Sequence, residues 1–144
     1  MSKEANIAVV RRFMEAYSKG DASAIKAVDE VTTSDFVHHA PYGDFDREAM
    51  KRSISNRPFP DEVIRIEDIV ADGDKVAIRT TIQGTHKRQL GNIPPAGEKV
   101  KFTEFVIFRL NDGKITEDWS LANALAMYQA LGALPPSSEI GKKQ

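Results

Sequence analysis

The sequence predicts an α+β fold, and three features carry that expectation. Apolar residues recur at helical spacing through the first third of the chain, with Ile7, Val10, Phe13, Met14 and Tyr17 as the first stripe. From Asp61 onward the apolar period changes to two. Tight turns at Asp72-Gly73 and Asp112-Gly113 then join successive extended segments as hairpins. Helices first and hairpins after give segregated layers, not the alternation of a doubly wound parallel sheet.

The elements follow in order. On the first helix Arg11, Arg12, Glu15 and Lys19 occupy the polar face, Gly20 is the stop, and Asp21 is the cap of the next helix. That short second helix has Ala24, Ile25 and Val28 as its buried side. Thr33 to Pro41 reads as extended chain, since Pro41 disfavours helix at Ala40. A third helix begins near Asp46, runs through Met50 and Ile54, and is ended by Pro58 and Pro60. A first strand places Ile64, Ile66 and Val70 on one face with Arg65 and Glu67 on the other. Lys75 to His86 is a second strand, residues 87–97 a loop with Pro94-Pro95, and Val100 to Leu110 a third strand. Ile115 to about Ser120 is a fourth. Leu121, Leu125, Tyr128 and Leu131 form a closing helical face capped by Gly132, and Pro135-Pro136 opens a polar tail that ends with Lys142, Lys143 and Gln144. Residues 1–144 are thus expected to form one domain with its core at 5–134. A curved, antiparallel-rich sheet with helices across one face makes a cone, with an internal pocket expected at its wide end.

Composition limits the function. With 41% apolar residues, 28% charged residues and a net charge of −1, the chain has the balance of an ordinary globular domain. No basic stripe is present, so no nucleic-acid partner is expected. The absence of cysteine removes disulfides, thiolate nucleophiles and cysteine metal sites. The polar N-terminus lacks the apolar stretch of a signal peptide, and no apolar run is long enough to span a bilayer. A cytoplasmic protein with no membrane partner is the expectation. The three histidines lack metal-ligand spacing, and no phosphate loop, dinucleotide fingerprint or Gly-x-Ser-x-Gly elbow occurs. Neither a metal nor an organic cofactor is expected.

Residue parity nominates the site. Asp118 and Ser120 share one face of the last strand, and a carboxylate in an apolar pocket has a raised pKa suited to acid/base work. Its alternative is a rim aspartate paired with an arginine. Glu104 stands in the otherwise apolar set Phe102, Val106 and Phe108; the opposite reading makes Phe105 and Ile107 the core side and leaves Glu104 in water. His38 and His39 point opposite ways in extended chain, so one faces inward. His86 shares parity with Val76, Ile78, Thr80 and Ile82, and is either a proton shuttle or a strand-end residue bonded to backbone. Tyr42 is a candidate pocket wall, whereas Trp119 has the parity of the second face. Apolar residues on both faces of the third strand predict a homodimer through the open side of the sheet.

Several segments become recognisable together: Ile66-Glu67-Asp68-Ile69-Val70-Ala71-Asp72-Gly73-Asp74-Lys75-Val76-Ala77, Gly84-Thr85-His86, Gly91 to Gly97 with Pro94-Pro95, Phe108 to Ile115, Glu117-Asp118-Trp119, and Gln129-Ala130-Leu131-Gly132. Their order and spacing resemble the SnoaL-like family of polyketide cyclases and ester cyclases, within the superfamily of nuclear transport factor two and ketosteroid isomerase. The resemblance covers roughly Ala5 to Leu134. It implies the cone, its pocket, a dimer, and cofactor-free chemistry in which an aspartate on the last strand takes a proton alpha to a carbonyl. Ungapped placement puts that aspartate on Ser120 and a second acidic position on Asn123. Neither residue can serve as a carboxylate base, though both can hydrogen-bond a substrate. His39 matches a histidine often found in the family. The expected catalytic set is Asp118, His39 and His86, with Ser120, Asn123, Glu104, His38, Tyr42 and Val106 as substrate-binding residues. The substrate expected is a small apolar carbonyl compound that is cyclised, isomerised, dehydrated or hydrolysed. The rival reading is a non-catalytic binding module for a small hydrophobic ligand.

Overall fold

The structure, a computed structural model, describes residues 1–142, so Lys143 and Gln144 of the expected tail lie outside the described residues. Its first helix, α1 (Lys3–Lys19), is capped by the Ser2 side chain and stopped by Gly20, whose positive φ of 68° suits a residue without a Cβ. Asp21 accepts from the Ser23 and Ala24 amides to start α2 (Ala22–Val31). The chain then extends as β1 (Thr32–Ala40), turns at Pro41-Tyr42 into β2 (Gly43–Asp46), and enters α3 (Arg47–Ser55) with Asp46 as its cap. Four longer strands follow: β3 (Val63–Asp72), β4 (Lys75–Thr85), β5 (Lys99–Asn111) and β6 (Lys114–Ala122). A short α4 (Ala124–Ala130) ends this run.

The six strands form one sheet in the order β2-β1-β6-β5-β4-β3. All pairings are antiparallel except β1 with β6, which run parallel and bring the first extended segment beside the last. Helix α1 lies across β3 and β4, and α3 covers β1 and β2. Between helices and sheet sits the main core, including Val10, Phe13, Val28, Phe36, Ile54, Val76, Ile78, Val106 and Phe108. Phe13 meets Phe108 edge-on with centroids 5.9 Å apart. A second cluster of Phe59, Val100, Met127 and Leu131 closes the other end under α4.

The structure departs from the sequence reading at three places. Strand β2 was not legible, being four residues between a proline turn and a helix cap. In β3 a bulge between Ile66 and Asp68 flips the parity. Ile69 and Ala71 therefore continue the inner face begun by Ile64 and Ile66, while Val70 is 65% exposed. The closing helical face also differs. Leu121 belongs to β6 and is exposed, Leu125 is exposed, and Met127 with Leu131 makes the buried contact.

Candidate active site

Strand register fixes which residues meet on the inner face. In β5 and β6, Phe108 stands opposite Asp118, Val106 opposite Ser120, and Glu104 opposite Ala122. The parallel pairing then sets His38 of β1 beside Asp118. Burial confirms the side: Val106 and Phe108 are buried, whereas Phe105 and Ile107 are exposed. Glu104 thus has the inward orientation.

On that face Asp118 is 2% exposed, and its Oδ1 lies 2.5 Å from Nδ1 of His38. Burial raises the Asp118 pKa, and the hydrogen bond and charge of His38 only partly offset it. Burial works to lower the His38 pKa, but the hydrogen bond and charge of Asp118 outweigh it and the net direction is upward. A dyad of this kind fixes the ring tautomer: with Nδ1–H donating to the carboxylate, Nε2 is the basic nitrogen. The histidine partnering Asp118 is therefore His38.

Its neighbour His39 does not reach the inner face, because extended chain turns it to the other side. There its Nε2 lies 2.9 Å from Glu117, its Nδ1 lies 2.8 Å from Asp44, and its ring stacks on Trp119 at 5.4 Å. Arg109 also pairs with Glu117. The expected pocket role of His39 is corrected by this placement.

Two rows along the same face, Glu104 is pushed up to about 7. Burial is the main cause, the positive potential of His38 opposes it, and Asp118 and Glu62 add to it. A carboxyl of this pKa is present in both protonation states near neutrality. Ser120 lies half-buried in the row between Glu104 and the dyad. Val106 is buried. Tyr42, 81% exposed at the β1–β2 turn, packs edge-on to Phe45, which in turn lies 6.1 Å from the His38 ring. Asn123 is used differently, since its side-chain oxygen accepts from the Ala126 amide and caps α4. The expectation that it bonds substrate gives way to this structural use.

His86 is 1% exposed, as its parity with Thr80 and Ile82 requires. Its backbone N–H donates to Glu98 and its carbonyl accepts from Gly97, but neither ring nitrogen has a partner. The ring meets Phe59 at 5.8 Å, far along the strand from Asp118.

Sequence reasoning missed a buried ion pair behind the site. Arg57 and Glu62 lie 2.8 Å apart with side chains only 5% and 10% exposed. The Arg57 guanidinium also donates to the carbonyls of Tyr17, Ser18 and Ile54. It sits 5.0 Å from the centroid of the Tyr17 ring. One cation thereby ties the C-termini of α1 and α3 to the start of β3. Charged residues flanking Pro58-Phe59-Pro60 were the available signal. Gly84 permits that loop to press on β4, since a Cβ there would come within 2.7 Å of Phe59.

Among the described residues, no group of three or more acidic, histidine or cysteine side chains is arranged to hold a metal. No helix is long and apolar enough to cross a membrane.

Comparison with known proteins agrees with this fold. AclR of Streptomyces galilaeus, provisionally described as a hydroxylase, is 25% identical over 95% of this chain and 88% of its own, with a TM-score of 0.81. IdmH of Streptomyces antibioticus, provisionally a polyketide cyclase, is 29% identical over 88% of this chain and 98% of its own, with a TM-score of 0.76. A protein of Bacillus cereus with the same provisional description is 29% identical over 93% of this chain and 87% of its own, with a TM-score of 0.74. Among curated proteins none matches the chain. The family model described as SnoaL-like polyketide cyclase matches residues 7–131. With that match covering most of its length, the chain belongs to the SnoaL-like polyketide cyclase family.

Proposed function

We propose that this protein catalyses proton transfer alpha to a carbonyl of a small apolar molecule, without metal or organic cofactor, as the first step of a cyclisation or isomerisation. The observation that carries the reading is the buried His38–Asp118 pair, a base with its orienting carboxylate where the family's own aspartate is replaced by Ser120. His38 Nε2 takes the proton from carbon, and Asp118 stabilises the imidazolium that forms. The C–H electron pair becomes the enolate π bond, and the carbonyl oxygen receives a proton from Glu104 in its neutral form. The Ser120 hydroxyl, in the row between, supplies a donor for the oxygen as charge develops there. Apolar walls such as Val106 and Ile78 exclude water from the site.

The test is hydrogen–deuterium exchange at the alpha carbon of 2-tetralone in heavy water, followed by NMR. Wild-type protein accelerates exchange above the buffer rate, and Asp118→Asn loses that acceleration. Exchange at the buffer rate with wild-type protein, or equal exchange with Asp118→Asn, overturns the assignment. A second reading has its own support: Asn123 serves as a helix cap and Ser120 is no carboxylate, as in a binding module. Saturable binding of 2-tetralone with no exchange selects that reading.

We further propose that the protein is a homodimer joined through the outer face of the sheet. Phe105, Ile107, Trp119 and Leu121 are 56%, 44%, 39% and 65% exposed on adjacent strands there. Light scattering at micromolar concentration checks the mass, and a monomer at that concentration rejects the proposal.

A further inference from the structure

Both ring nitrogens of His86 are buried and without a hydrogen-bond partner, while His38 and His39 are each paired. Register explains how the ring came to be inside: the β4 ladder continues through the His86 amide to Glu98 at 2.8 Å and back from Gly97 at 3.1 Å. It does not explain why the residue is polar. A phenylalanine or leucine would fill the same volume beside Phe59 and leave nothing unsatisfied.

The surroundings describe what would satisfy it. Phe59 meets the imidazole edge-on, Phe102 lies 6.1 Å from Phe59, and Val100, Tyr128, Met127 and Leu131 complete an apolar cluster around it. The wall on one side is α4, a seven-residue helix seated by Met127 and Leu131, each still 9% exposed. A neutral imidazole carries one donor and one acceptor nitrogen. A hydroxyl can satisfy either one, whereas a carbonyl can satisfy only the donor.

We propose that His86 is a ligand-binding residue, reading a hydroxyl on the ring-shaped distal end of the apolar molecule whose reactive carbonyl lies toward His38 and Asp118. Resting on the pocket proposed above, this adds a second polar pole. His86, just past the end of β4, lies six positions beyond Thr80, which is level with Glu104, on the order of 20 Å of extended chain. The two poles therefore select an elongated molecule, oxygenated at both ends and apolar between.

The experiment compares the affinities of naphthalene and 2-naphthol for the full chain, with ring ¹⁵N shifts of His86 recorded by NMR. Wild-type protein binds 2-naphthol about fivefold more tightly than naphthalene, the worth of one neutral hydrogen bond, and 2-naphthol alone moves the His86 ring shifts. His86→Phe abolishes the preference. Should that variant fail to fold, the wild-type ring shifts decide the matter. Unmoved shifts, or a preference retained in His86→Phe, overturn the proposal and leave the ring as a buried group met by water. A preference lost in Glu104→Gln but kept in His86→Phe places the hydroxyl at the catalytic end, which overturns the subsite while the pocket stands. Binding of neither compound overturns the subsite and the pocket together.

Discussion

Two adjacent histidines on β1 face two adjacent acids on β6, and their fates differ. His38 and Asp118 meet on the inner face; His39 and Glu117 meet on the outer face. The residue types are alike, but His38 stands directly opposite Asp118 whereas His39 is level with Trp119 and reaches Glu117 diagonally. Yet Asp118 is raised above its ordinary pKa, chiefly by burial, whereas Glu117 is lowered, chiefly by its hydrogen bond to His39 with Arg109 adding to it. Both histidines shift upward, His38 against the pull of its own burial and His39 through its two carboxylate partners. Pairing alone makes an ordinary surface salt bridge; pairing inside an apolar wall makes a poised acid/base group.

The sharpest way to break the comparison is to remove one acid at a time. Asp118→Asn should lower the rate of alpha-proton exchange by about 10²- to 10⁴-fold, as loss of an acid/base partner does. Glu117→Gln should change it less than about twofold, because its partner lies across the sheet. Equal losses in the two variants, measured by the same NMR assay, would show that the faces are not functionally distinct.

Glu104 extends the inner-face argument to stability. Its rise from 4.5 to about 7 corresponds to about 3 kcal/mol disfavouring the ionised form. The stability it contributes is therefore fully present below pH 4.5 and is lost as pH rises through about 7. Glu104→Gln should match wild type near pH 4 and exceed it by up to about 3 kcal/mol at pH 8, as read by denaturant melts. A pH-independent difference would place Glu104 in water.

On the proposed mechanism the same group should shape the pH–rate profile. Acidification protonates His38, the proposed base, while alkalinisation through about 7 ionises Glu104, the proposed acid. A bell centred near neutrality is expected for wild type, with the alkaline limb abolished in Glu104→Gln. Retention of that limb in the variant would assign it to another group.

The outer face should respond in association. Ile107→Lys puts a charge in the middle of the exposed apolar strip and should weaken self-association at least about tenfold in sedimentation, with little change in fold. The smallest effect is expected from His39→Gln. Removing a half-exposed ion pair should cost about 0.2–1 kcal/mol in a thermal melt and leave exchange activity intact.

Much of this site was legible from period and register. The alternation Phe102, Glu104, Val106, Phe108 placed Glu104 on one stripe, and Asp118 two residues before Ser120 shared its face. The choice between the two stripes was not legible, since Phe105 and Ile107 are equally apolar. A bulge in β3 defeated the parity of Val70 for a related reason: one extra residue inverts every later side chain, and no local sequence signal announced it.

By itself the sequence determined the order of helices and hairpins, the cap at Asp21, the start of the third helix near Asp46, the turns at Gly73 and Gly113, and the family. These rest on contacts within a few residues, where propensity and period act directly. Only the tertiary structure decided that β1 lies parallel to β6, and with it that His38, not His39, reaches Asp118. Only the tertiary structure carried the Arg57 guanidinium to the carbonyls of Tyr17 and Ser18. Such choices bring together residues as far as eighty positions apart, and they are settled by which side of the sheet the helices cover and which charges that covering removes from water.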